Sequence, residues 1–137
     1  MTDITDTATT DNVTVFICGS ALRGQPDNQN LQDAAFAGAT QTAPLYRLHA
    51  VKDGWHPGIY AVETDGISIP GELYVMTPAQ FTYLKENEPP HMYPQEVQLA
   101  DGGTAIAFLY PKELIDEQGW PDISAYGGWA AYKAATA

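Results

Sequence analysis

The chain has 137 residues, room for one domain with a core of its own and too few for a second. Six Lys plus Arg against seventeen Asp plus Glu leave a formal charge of -11, which repels nucleic-acid phosphates and anionic membrane surfaces, so neither is an expected partner. Cys18 is the single cysteine, so no intrachain disulfide and no multi-cysteine metal site can form.

Residues 1–12 carry five Thr and three Asp and no aromatic; such a segment cannot bury enough apolar area to offset its ordering entropy and is expected to be a disordered acidic tail. It also lacks the basic start and apolar middle of a secretory signal, and no apolar run nears the roughly 18 to 20 residues of a membrane span, so the expectation is a soluble, cytoplasmic protein. The domain itself is expected over 13–137.

The β-branched and aromatic run Val13 to Cys18 reads as a buried central strand ending at Gly19-Ser20. Leucine and phenylalanine recurring among Asn, Gln and Asp from Pro26 to Phe36 permit a short helix. Strands are expected at 38–43, 45–51, 58–62 and 68–76, separated by Pro44, Asp53-Gly54 and Asp65-Gly66. Thr77-Pro78 opens a helix with Thr as N-cap and Pro in the first turn, Phe81 and Leu84 facing the core, and Pro89-Pro90 closing it. Segments 94–100 and 104–110 around Asp101-Gly102-Gly103 read as a hairpin. One helical turn follows at Pro111, and Asp122 caps a final segment with Trp129 and Tyr132 on one face. About seven short strands with two or three flanking short helices predict an α+β fold, a small curved mixed sheet closing toward a barrel.

Three features could carry chemistry. A glycine at the end of a strand can take positive φ and let successive N–H groups converge on an anion; with the Ser20 hydroxyl, Gly19-Ser20 could cradle a carboxylate, or be a plain turn. The charge excess does not forbid this, since a few local donors hold a small anion against an unfavourable global field. Glu88, past the helix and near Tyr93, is a general acid/base candidate if burial raises its pKa, against the alternative of an ordinary acidic helix end. Cys18 adjoins the turn without a neighbouring cation in sequence, which favours packing over nucleophilic duty. Glu72 interrupts an apolar strand and is expected to point outward. His49, His56 and His91 lack metal-ligand spacing; no metal and no cofactor are expected. Gly127-Gly128 allow a tight turn that brings Trp129 against the sheet as a latch.

Taken together these residues resemble the γ-glutamylcyclotransferase fold and, within it, the C-terminal domain of allophanate hydrolase. Cys18-Gly19-Ser20-Ala21-Leu22, Gly71-Glu72-Leu73-Tyr74 and Leu84 to Glu88 with Tyr93 carry the first likeness. The second rests on Gly24 to Asn28 with Leu31, Thr42 to Leu48, Pro57-Gly58 and the ending Asp122 to Trp129. The resemblance implies a small barrel whose ligand carboxylate meets the turn Cys18, Gly19, Ser20, Ala21 and Leu22, with Tyr93 nearby and Glu88 as general acid/base. Cys18 stands where cyclotransferases carry an aromatic residue, Lys85 where an aspartate often follows the leucine, and Ala21 where allophanate hydrolase domains often carry a histidine.

Three functions follow from the likeness. One is an enzyme, or binding protein, for a small carboxylated urea-like or amide metabolite. Another is a γ-glutamyl cyclotransferase releasing 5-oxoproline, and the third a non-catalytic partner of a separately encoded amidase. A homodimer is one reading of the assembly for a domain of this size.

Overall fold

A computed structural model of the chain describes residues 12–136 apart from 20, 32 and 53. Among the described residues seven strands form: β1 Val13–Ile17, β2 Ala35–Gln41, β3 Tyr46–Val51, β4 His56–Ala61, β5 Pro70–Met76, β6 Tyr93–Gln98 and β7 Thr104–Leu109. Three α-helices follow the later strands: α1 Pro78–Asn87, α2 Lys112–Gln118 and α3 Trp129–Thr136. Five strands make one sheet in the order β2-β5-β1-β7-β6, and β3 and β4 make a separate antiparallel ribbon. The fold is mixed α+β, as its strand and turn pattern predicts.

β1 is the middle strand, antiparallel to β5 and parallel to β7. Val15, Phe16 and Ile17 are all buried, because both faces of a central strand are covered, which is why its sequence runs apolar without alternating. The expected barrel does not close. The edge strands β2 and β6 approach at a single bridge, Thr42 to Leu99, flanked by the Ala43 N–H to Gln98 carbonyl and Ala100 N–H to Gln41 carbonyl bonds, and no ladder extends from it. The sheet is curved but open, and the ribbon leans on it through the Tyr110 N–H to Ile59 carbonyl bond of 2.9 Å.

The helix expected from Pro26 to Phe36 is replaced by a 3-10 segment, Pro26–Leu31, and Ala35 already begins β2. Leu31 buries itself in the core, while Phe36, half-exposed, lies on a strand with Gly38 at a bulge; the polar run 27–30 lacks the apolar stripe that would hold a full helix down. α1 forms as its sequence demands. Thr77 Oγ1 accepts the Gln80 N–H at 3.2 Å, and Gln80 Oε1 accepts the Thr77 N–H at 3.0 Å, a reciprocal capping box. Leu84 is buried, and Phe81 stacks on Phe108 with ring centroids 5.9 Å apart. α2 is longer than the one turn expected, anchored by buried Ile115 and stopped by Gly119 at φ 71°.

Residues 1–11, and with them nearly all of the expected tail, lie outside the described residues. Among the described residues no helix is long and apolar enough to cross a membrane.

Candidate functional site

Pro89 decides where the carboxyl of Glu88 goes. A residue before proline is pushed out of the α region, and Glu88 accordingly leaves α1 in extended conformation at φ -75°, ψ 152°. Its side chain thereby joins the wall of a small cavity beneath the end of β1. Cys18, Gly19 and Ala21 supply the turn side of that cavity, and Phe16, Pro57, Ile59, Met92 and Phe108 complete an apolar lining. Among the described residues Glu88 is the one charged group in it.

The cavity holds about 30 Å³, space for on the order of one or two water molecules. Burial, and secondarily the negative charge of Asp27, push the Glu88 carboxyl up to about 7, so at neutral pH it is shared between acid and carboxylate. Cys18 is shifted in the same direction. Burial, reinforced by Glu88, pushes its thiol up to about 12; it stays protonated and packs, as a cysteine at the end of a core strand should.

The turn is held by the Leu22 N–H to Gly19 carbonyl bond of 3.0 Å and by Asn28 Nδ2, which donates to the Ala21 carbonyl at 3.0 Å. Gly19 does not use positive φ. A Cβ on it would instead overlap the Pro57 ring, so the glycine is required by close approach of β4. Pro57 is braced in turn by His56, fully buried, whose Nδ1–H donates to the Pro57 carbonyl at 3.1 Å. Burial holds the His56 imidazole below its usual pKa, hence neutral.

Of the residues singled out in sequence, the structure gathers Cys18, Gly19, Ala21 and Glu88 about one cavity, while Ser20 lies outside the described residues. Tyr93 is placed elsewhere. It opens β6 with its ring 40% exposed and lines a separate groove with Tyr60 and Lys112; its neighbour Met92 enters the Glu88 cavity instead, consecutive side chains diverging to opposite faces. Leu22 turns into a third groove, shared with Arg23 and Glu72. Glu72 does not point outward: its side chain is 13% exposed and its carboxylate accepts from the Arg23 backbone N–H, Arg23 Nε and the Tyr74 hydroxyl.

Sequence reasoning missed Asp27 and Asn28 as supports of the site, although both lie in a stretch that carried the resemblance. It also missed Met92 and Phe108, which as apolar residues in or beside strands give no signal beyond core packing. The signature ending has a structural duty. Asp122 Oδ1 accepts the Ser124 N–H at 2.8 Å, Asp122 Oδ2 accepts Arg47 Nη2 at 2.9 Å, and Ser124 Oγ accepts the Leu48 N–H at 3.0 Å. These bonds tie the C-terminal segment to β3 and seat Trp129, buried to 1% exposure, against the core.

Residues 13–134 match the family described as the allophanate hydrolase C-terminal domain. The chain belongs to that family. A curated relative, the urea amidolyase of Lachancea kluyveri, is 28% identical over 133 residues, covering 93% of this chain and 7% of its own length. Among solved structures, a uropathogenic E. coli-specific protein superposes at a TM-score of 0.82 with 28% identity, over 90% of this chain and 96% of that one. Kluyveromyces lactis allophanate hydrolase does so at 0.85 with 24% identity, over 92% of this chain and 22% of that one. A mouse AIG2-like protein, at 0.60 and 21% identity over 74% of this chain and 81% of that one, shares the fold. The chain thus matches nearly the whole of one solved chain but only a small share of the allophanate hydrolase and urea amidolyase chains.

Proposed function

We propose that the chain is an enzyme for a small carboxylated urea-like or amide metabolite, with the carboxylate received at the turn Cys18 to Leu22, mainly by Gly19 and Ser20, and Glu88 moving protons. The observation that carries this reading is the lone Glu88 carboxyl in an apolar cavity against that turn, pushed up to about 7. A group that ionises near the working pH is both an adequate acid and an adequate base. Membership of the allophanate hydrolase C-terminal family supports the urea-like or amide character of the ligand.

A cavity of about 30 Å³ admits only the reacting end of such a ligand; the remainder lies outside it. When an N-bound carboxylate departs as carbon dioxide, the bonding pair stays on the nitrogen, the protonated Glu88 carboxyl gives that nitrogen its proton, and solvent restores the Glu88 proton. Cys18, held as a thiol, takes no nucleophilic part. Glu88→Gln preserves fold and ligand binding and is expected to lower kcat by roughly 10²- to 10⁴-fold on a panel of ureido and amido acids. Equal turnover in variant and wild type removes Glu88 from the mechanism.

The same juxtaposition also supports the γ-glutamyl cyclotransferase reading, in which Glu88 takes a proton from the attacking α-amine and returns one to the departing nitrogen. Release of 5-oxoproline from γ-glutamyl dipeptides selects it, and silence across a dipeptide panel dismisses it. The 7% share of the urea amidolyase that the chain matches supports the reading as a partner of a separate amidase. Co-purification with an amidase, without turnover by the chain alone, selects that one.

A further inference from the structure

We propose that the groove shared by Leu22, Arg23 and Glu72, next in chain to Ala21 of the Glu88 cavity, binds a small carboxylate with a planar body. The groove encloses about 440 Å³, within the range of metabolite sites and far above the 30 Å³ beside Glu88.

The chain has two arginines, Arg23 and Arg47. Arg47 is consumed by the fold: its Nε and Nη2 donate to Asp122 and its Nη1 to the Asp65 carbonyl. Arg23 is held differently. Its backbone N–H and Nε both donate to Glu72, at 3.1 and 3.2 Å, and its guanidinium lies over the Phe36 ring with Cζ 3.9 Å from the centroid. These contacts fix the plane of the guanidinium without engaging its outer edge; among the described residues no acceptor bonds to the Arg23 Nη atoms. A planar fork held open in this way matches a carboxylate bidentately.

Glu72 does not cancel the site. Its carboxylate already accepts three donors and its side chain is 13% exposed, whereas that of Arg23 is 60% exposed. Glu72 lines the groove too, but its carboxylate is committed to these donors and Arg23 is the more exposed of the two. Gly71, Gly127 and Gly128 line the groove without side chains, and Tyr126, 46% exposed, lines it as well. A flat wall with an aromatic edge accepts a flat ligand.

Benzoate is the probe. In a 1H–15N NMR titration it is expected to shift the Arg23 Nε–H and the amides of Gly127 and Gly128, with saturation at millimolar benzoate. Arg23→Gln is expected to weaken the Kd by roughly tenfold or more, the loss of a charge-assisted pair. Ala131→Leu, an exposed position on the groove wall, fills the groove while sparing Arg23 and weakens binding comparably even if R23Q fails to fold. Glu88→Gln binds benzoate like wild type. Shifts confined to Cys18, Gly19 and Ala21, unchanged binding in both groove variants, or no saturable shift at all overturns the proposal. None of these outcomes depends on turnover, so the role proposed for Glu88 stands or falls separately.

Discussion

Gly19 is a glycine for want of space. Its φ lies outside the left-handed region and the Pro57 ring occupies the position a Cβ would take, so Gly19→Ala forces either the proline ring or the β1 turn to move. Overpacking of this kind costs about 1–3 kcal/mol. In urea unfolding, G19A is expected to lower the midpoint without changing the m-value; an unaltered midpoint means that β4 yields freely and that the turn is not held by Pro57. The glycine itself is visible in the sequence as a strand terminator, but its reason is not, because the contact spans 38 residues of chain and belongs to packing. Glu88 shows the opposite balance. The dipeptide Glu88-Pro89 foretells that the glutamate leaves the helix in extended form, yet nothing local tells that it turns inward, since the cavity it enters is built by β1, β4, β7 and Met92.

At the scale of elements, the C-terminal segment from Asp122 to Trp129 acts as a clasp on β3. Burial raises the Asp122 carboxyl pKa, but the Ser124 and Arg47 donors outweigh it and the net pKa lies below the usual carboxylate value. A depressed folded-state pKa means stability that is present above the unfolded value and lost as pH falls. Asp122→Ala is therefore expected to cost about 1–2 kcal/mol at pH 7, discounted for the partial exposure of the pair, with the gap to wild type narrowing in acid. Denaturant unfolding of both proteins at neutral and acid pH checks it; a pH-independent gap assigns the cost to lost packing instead of the carboxylate. Elements with their own signals were legible: the Thr77-Pro78 start, the 104–110 strand after Asp101-Gly102-Gly103, and the buried run of β1. The 3-10 segment at Pro26–Leu31 was not, because its leucine and phenylalanine serve two different elements while imitating one helical stripe.

At the scale of the molecule, the sequence carries the α+β class and the number of strands, but not the sheet order. β1 pairs in parallel with β7 some ninety residues later, a long-range choice no local pattern encodes. The same reason hides the open edge. Strand count and short turns suit a barrel, whereas closure requires β2 and β6 to continue pairing beyond the Thr42–Leu99 bridge. The open sheet leaves the cavity beneath the end of β1 lined by strands and the residues after α1, with Glu88 in apolar surroundings. That burial links site to stability. Glu88 has a folded-state pKa raised from 4.5 to about 7, so the native state holds the proton more tightly than the unfolded chain. Its unfavourable contribution is absent below the unfolded value and grows as pH rises toward the folded one, at up to about 1.4 kcal/mol per pH unit.

The most direct test is a 13C NMR titration of the Glu88 side-chain carboxyl, assigned with Glu88→Gln. A midpoint near 7 is the predicted result. A midpoint near the ordinary glutamate value of about 4.3 would contradict the account, because Glu88 would then be a solvated carboxylate at neutral pH with no proton to give.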